Sequence, residues 1–127
     1  MDFLTTLKFN EKGLIPAIAQ DYQSGEILMF AFMNLESLKL TIEQKRAVYF
    51  SRSRNKLWFK GEESGYIQII KEIMTDCDCD VIILKVEQIG GISCHTGRKS
   101  CFFNTLKDKN WTENSKVIKN PAEIYKT

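Results

Sequence analysis

Histidine is almost absent from this chain: His95 is the only one in 127 residues. Proline is nearly as scarce, with Pro16 and Pro121 alone, which excludes collagen-like and Pro-rich linker sequences. No apolar run approaches the roughly 18 residues of a membrane span. The short apolar patch between Asp2 and Lys8 lacks the length and cleavage pattern of a signal peptide. Charge of one sign is also lacking. A net charge of +2 gives no argument for a nucleic-acid or a membrane partner. The expectation is a cytoplasmic protein with no nucleic acid and no membrane bound, in a compartment where thiols stay reduced.

What is present suits one compact domain over residues 1–127: 43% of residues are hydrophobic and 27% charged. Residues 1–11 form a lead-in of a helical turn or two. Leu14–Asp21 reads as a strand, with Pro16 placing it near a sheet edge. A turn at Gln23–Glu26 joins it to a second apolar run, Ile27–Met33, short enough for a buried strand, and the pair reads as a hairpin. Asn34 has the chemistry of a helix N-cap. Leu35, Leu38 and Ile42 then recur at helical spacing, predicting a helix over 35–45 with those three in the core. Further strands are expected at Ala47–Ser51, Lys56–Lys60, Tyr66–Met74, Val81–Val86 and Phe102–Leu106, the third of these blurred at Ile70-Lys71. Residues 107–127 read as a polar tail whose Trp111, Ile118, Pro121 and Tyr125 suffice for docking. The fold class is mainly β with one or two helices (α+β), barrel-like or sandwich-like.

All four cysteines and the histidine lie between Asp76 and Cys101. Asp76-Cys77-Asp78-Cys79-Asp80 alternates carboxylates with thiols. If extended, Asp76, Asp78 and Asp80 project to one side and the two thiols to the other. Such carboxylates repel unless a hard cation such as Mg²⁺ or Ca²⁺ neutralises them. Glu87 falls at the twelfth position of an EF-hand loop, but Val81, in an apolar strand where the sixth position needs Gly, argues against one. A solvated acidic turn and a cation site both stay open.

The spacing of Cys77, Cys94 and Cys101 is not that of a zinc ribbon. Three thiolates suit Zn²⁺, however, and leave a fourth position for a water that ionises near neutral pH. Arg98 and Lys99, between Cys94 and Cys101, supply positive charge that favours thiolates. His95, beside Cys94, is a candidate for general acid/base work. Arg46 to Lys60 interleaves basic and aromatic residues, as in a single-strand nucleic-acid platform, a pocket for a phosphorylated aromatic molecule, or an amphipathic hairpin.

Taken jointly, these segments resemble the phosphoribosyl-AMP cyclohydrolase family of histidine biosynthesis. The resemblance runs from about Gly13 to Phe103. It rests on Gly13-Leu14-Ile15-Pro16-Ala17, Met33-Asn34, Ser51-Arg52-Ser53-Arg54 and Leu57-Trp58-Phe59-Lys60-Gly61-Glu62. It continues through Ser64-Gly65, Asp76-Cys77-Asp78, Asp80, Cys94-His95-Thr96-Gly97 and Ser100-Cys101.

The resemblance implies a zinc-dependent hydrolase that opens the purine ring of 1-(5-phosphoribosyl)-AMP between N1 and C6. It implies zinc ligands Cys77, Cys94 and Cys101 and magnesium ligands Asp76, Asp78 and Asp80. His95 would move protons, and Arg52, Lys60, Glu62 and Ser64 would hold substrate. It implies an intertwined homodimer with one zinc per subunit shared across the interface, Cys77 coming from one chain and Cys94 and Cys101 from the other. Some family members carry a fused pyrophosphohydrolase domain; here that activity is expected on a separate protein. Cys79 falls outside the implied ligand set. A nucleic-acid-binding β module and a closed structural zinc domain recruiting Cys79 are the competing readings.

Overall fold

The computed structural model describes residues 2–125. Its elements are α1 (Asp2–Thr5), β1 (Ile15–Asp21), β2 (Ile27–Met33), α2 (Leu35–Gln44), β3 (Val48–Ser51), β4 (Lys56–Phe59), β5 (Gln68–Thr75), β6 (Ile82–Gln88), a 3₁₀ turn (Ile89–Gly91), β7 (Asn104–Lys107), β8 (Asn110–Glu113) and α3 (Pro121–Ile124). The first six strands form one sheet in the order β4-β3-β2-β1-β6-β5, curled into a half-barrel, and β7 and β8 form a separate hairpin. The molecule is a compact, mainly β domain. No helix among the described residues is long and apolar enough to cross a membrane.

The β1–β2 hairpin forms as expected, around a turn in which the Asp21 carboxylate accepts the N–H groups of Gln23 and Ser24. The edge position does not hold. β1 lies inside the sheet, antiparallel to β2 and parallel to β6. Its first β6 partner is Ala17, so Pro16 falls just outside that ladder, where a missing N–H is tolerated. The blur at Ile70-Lys71 is a register shift between Ile70 and Glu72 in the β5–β6 ladder.

α2 begins with a capping box. Asn34 Oδ1 accepts the Ser37 N–H at 2.7 Å and Ser37 Oγ accepts the Asn34 N–H at 2.9 Å. The helix stops at Lys45, which is left-handed at φ 58. Its inner face differs from the expected one. Leu38 is buried, but Leu35 and Ile42 are exposed, and the other buried residues are Ser37 and Thr41. Thr41 faces inward and joins the helix to β3: Thr41 Oγ1 accepts the Val48 N–H at 3.0 Å and donates within reach of the Ser37 and Val48 carbonyls.

One face of the sheet is core. Ile15, Ala17, Ala19, Met29, Met33, Ile82, Leu84 and Val86 pack with Leu4, Leu38 and Tyr49. The other face is also apolar. Strand register sets Phe50, Phe32 and Pro16 in one row and Phe30, Ile18, Ile83 and Met74 in the next. None of these seven is buried. β2 was expected to be a buried strand because both its faces are apolar, yet Ile27 and Phe30 are exposed.

The tail is more structured than its composition suggests. It supplies β8 and α3, neither of which was expected. Asp108 and Lys109 make the β7–β8 turn with φ of 49 and 67, a two-residue loop without the glycine that usually advertises one. Trp111 and Ile118 stay exposed, and among the described tail residues Ile124 is the buried one.

Candidate metal and substrate site

The acidic segment is not extended. It is the turn joining β5 to β6, closed by a hydrogen bond from Thr75 Oγ1 to the Val81 carbonyl. The Asp76 carbonyl accepts the Cys79 N–H at 3.0 Å and Asp76 Oδ1 accepts the Asp80 N–H at 3.1 Å. Cys79 is left-handed at φ 57, and its carbonyl takes the Lys8 N–H. The carboxylates and thiols therefore do not alternate between two sides, because a turn has no period of two. The turn still gathers carboxylates: ligand atoms of Asp76, Cys77 and Asp78 all lie within 4.8 Å of one another, exposed to solvent. Cys77 joins the carboxylates instead of opposing them. Partial desolvation, and then the Asp76 and Asp78 carboxylates, raise Asp80 above its ordinary value.

The second cluster follows the 3₁₀ turn. Cys94 N–H bonds to the Arg98 carbonyl and Ser93 N–H to the Lys99 carbonyl, which closes residues 93–99 into a tight loop. Two serines fasten it to the start of β2: Ser93 Oγ donates to the Leu28 carbonyl at 3.1 Å and Ser100 Oγ to the Ile27 carbonyl at 2.7 Å. The Cys101 N–H reaches the Leu28 carbonyl at 2.7 Å. Cys94 is buried, and Thr96 Oγ1 donates to its sulfur at 3.0 Å. Cys101 is exposed as a residue, but its sulfur faces Cys94, Ser93 and Lys60. Desolvation, and then the Cys94 thiol, push Cys101 up to about 12, against the pull of the Lys60 ammonium. His95 is exposed and, among the described residues, makes no hydrogen bond.

Lys60 is the cation at the thiols. It is buried, and its Nζ donates to the Ser93 carbonyl. Desolvation lowers its pKa below the ordinary lysine value, while Cys101 and Cys94 oppose that change. Arg98 and Lys99 do not take this role. Arg98 pairs with Glu113, and Lys99 with Asp21 and Glu26.

Beside Lys60 lies a cavity of about 490 Å³, lined also by Arg46, Phe59, Gly61, Glu62 and Gly65. That volume is in the range of small-molecule sites. Gly61 shapes it: at φ 83, a Cβ there would lie 2.5 Å from the Ile67 nitrogen. Ser64 Oγ accepts the Tyr66 N–H, which shapes the same loop. Arg52 lies apart, with its guanidinium 4.2 Å from the Phe32 ring centroid on the outer apolar face. The larger concavity, about 770 Å³ between α1 and α2, is lined mostly by apolar residues such as Phe3, Leu7 and Ile42 and holds none of the expected site residues.

A buried polar chain, missed in the sequence, ties β3, β5 and β6 together. Tyr49 OH donates to Gln68 Oε1 at 2.6 Å, Gln68 Nε2 donates to Gln88 Oε1 at 2.9 Å, and Gln88 Nε2 donates to the Tyr66 carbonyl at 3.0 Å. Glutamines in apolar strands were its only sequence signal.

One chain does not assemble the three expected zinc thiols. Among the described residues, the group of three potential ligands that gathers is Asp76, Cys77 and Asp78. The reason is topological. Cys77 lies beyond the Thr75–Ile82 pair, whereas the Cys94–Cys101 loop is fastened to β2 at the level of Gln20 and Lys85. Ile82 to Lys85 alone spans about 10 Å of strand. Two sulfurs on one zinc are at most about 4.6 Å apart, twice the Zn–S bond.

Comparison with known proteins agrees with the motif reading. The family described as phosphoribosyl-AMP cyclohydrolase matches residues 29–103. A phosphoribosyl-AMP cyclohydrolase of Vesicomyosocius okutanii is 70% identical over 98% of this chain and 99% of the relative. One from Ruthia magnifica is 65% identical over 98% and 99%. One from Marinobacter nauticus is 59% identical over 98% and 90%. Matches of this identity and length, the family match spanning both the Asp76–Asp80 and Cys94–Cys101 segments, place the chain in the phosphoribosyl-AMP cyclohydrolase family of hydrolases.

Proposed function

We propose that this hydrolase opens the adenine ring of 1-(5-phosphoribosyl)-AMP between N1 and C6 in histidine biosynthesis. The reading further assigns zinc to Cys77, Cys94 and Cys101, magnesium to Asp76, Asp78 and Asp80, and a homodimer to the active species. The observation that carries the mechanism is the split thiol set: two sulfurs meet at Cys94 and Cys101, and Cys77 lies at the far end of β6.

The donor sets fit these ions. Unpaired thiols are zinc donors, and crowded exposed carboxylates are magnesium donors. A third sulfur must come from a second copy, and the sheet offers a surface for one. Its unburied row of Phe30, Phe32, Phe50, Ile18, Met74 and Ile83 suits face-to-face packing with the same face of a partner.

Zinc, when bound, supplies the Lewis acidity that lets water attack near neutral pH. The chain's own residues do the rest. Thr96 fixes the Cys94 sulfur through its hydroxyl. Lys60 and Arg46 bring positive charge to the cavity, which suits a phosphorylated ribose, and Glu62 can accept from ribose hydroxyls. His95 is exposed and unbonded, hence free to take a proton from the attacking water and deliver it to N1. The water oxygen becomes the carboxamide oxygen at C6, and the N1–C6 bond breaks with N1 protonated.

Turnover of phosphoribosyl-AMP, followed by the absorbance change on ring opening, tests the reading. Activity that disappears on chelation and returns with zinc, magnesium being present, is expected. Absence of turnover in folded, zinc-loaded protein would refute it.

A further inference from the structure

Residues 113–125 lie outside the family match of residues 29–103, yet they are knitted into the thiol loop. Gly97, between Cys94 and Cys101, accepts the N–H groups of Ile118 at 2.8 Å and Lys119 at 3.3 Å. With φ at 87 and a Cβ position only 1.9 Å from the Lys119 carbonyl oxygen, the position admits glycine alone.

The next residue, Arg98, is only 9% exposed. Its carbonyl takes the Cys94 N–H at 3.1 Å. Its Nε donates to the Ser115 carbonyl at 3.3 Å and its Nη2 to Glu113 Oε1 at 3.0 Å, and the guanidinium lies 3.9 Å from the Phe103 ring centroid. A guanidinium this buried is costly unless its donors are used. Here they join a metal-ligand loop to a segment remote in sequence. The segment's end returns to the same place: burial, and then the charges of Cys94, Glu63 and Cys101, raise the Tyr125 phenol.

We propose that Arg98 is a positioning residue: by tying the Cys94–Cys101 loop to a strap of residues 113–119, it holds the two sulfurs at metal-binding separation. The strap belongs to the site, although none of its residues is a ligand. The inference rests on the zinc reading above, and it predicts two separable effects. Loosening the strap weakens zinc binding, as loss of groups that orient ligands does elsewhere. It also exposes Cys94, which is 4% exposed in the intact loop, to reagents in solution.

The experiment compares wild type, Arg98→Ala and Glu113→Gln. Zinc affinity is read by competition with a chromophoric chelator, and thiol reactivity by a colorimetric disulfide reagent on metal-free protein. Arg98→Ala should weaken zinc binding about tenfold or more and speed Cys94 modification by a similar factor, with the far-UV spectrum preserved. Glu113→Gln should move both in the same direction by less. Zinc affinity and thiol rates within twofold of wild type in Arg98→Ala would overturn the proposal. If Arg98→Ala does not fold, Glu113→Gln decides alone, since its side chain is 62% exposed and its loss leaves the core intact. Wild-type protein that binds no zinc would sink the metal reading instead, and the thiol rates would still judge the strap.

Discussion

Tyr49→Phe removes one hydroxyl from the buried polar chain that joins β3, β5 and β6. Tyr49 is fully buried, and its OH donates to Gln68 Oε1 at 2.6 Å. Phenylalanine fills almost the same volume, so no sizeable cavity opens. The cost is the acceptor left unsatisfied on Gln68, about 1–3 kcal/mol for a buried polar group. For 127 residues the unfolding entropy is about 0.27 kcal/mol/K, so the melting temperature should fall by about 4–11 °C.

The pH dependence gives a second check. Burial, and then Cys101, push the Tyr49 phenol above its ordinary value, which is near 10. Folding therefore favours the protonated phenol. Its contribution is complete below about pH 10 and is lost as the pH rises further. Alkali should cost wild type more than Tyr49→Phe, and the gap between them should narrow above pH 10. Thermal unfolding by circular dichroism at fixed protein concentration measures both. A shift under 1 °C, or a gap that widens in alkali, would refute the reasoning.

Three other expectations concern single residues. His95→Ala should lower turnover at least 100-fold while bound zinc stays unchanged; loss of zinc would make His95 a ligand. Asp21 is pushed up by desolvation, but the N–H groups of Ser24 and Gln23 and the Lys99 ammonium together hold it below its ordinary value. Its stabilisation is present above about pH 4 and is lost as the pH falls, so acid should destabilise Asp21→Asn less than wild type in urea titrations. Cys79→Gly relieves a left-handed non-glycine residue, so stability should hold or rise by up to about 1 kcal/mol with zinc stoichiometry unchanged; loss of zinc would place Cys79 among the ligands.

The six strands of the sheet and the first hairpin were legible because apolar runs, turn residues and the Asn34 cap all act locally. The errors arose where a partner overrides the local pattern. Leu35 and Ile42 have helical spacing, but Thr41 bonds to Val48 and rotates them outward. Pro16 suggests an edge only while the parallel partner β6, more than sixty residues later, is unknown. The acidic segment alternates in sequence and still folds as a turn, because the Asp76 carbonyl and carboxylate capture the N–H groups of Cys79 and Asp80.

The candidate ligands were readable from residue type and family motif. Their separation within one chain was implied by the resemblance alone and not by the residues, since it depends on the level at which the Cys94–Cys101 loop is fastened to β2. Lys60 as the cation beside the thiols was equally hidden. Arg98 and Lys99 are nearer in sequence and point to other carboxylates.

Subunit complementation tests the proposed sharing of zinc between two chains most directly. Cys77→Ser and Cys94→Ala should each be inactive and deficient in zinc when made alone. Co-expressed in equal amounts, half of random dimers are mixed, and each mixed dimer restores one of its two sites, so about a quarter of wild-type activity and zinc should return. Full zinc in Cys77→Ser alone, or no recovery in mixed dimers shown to form, would contradict it.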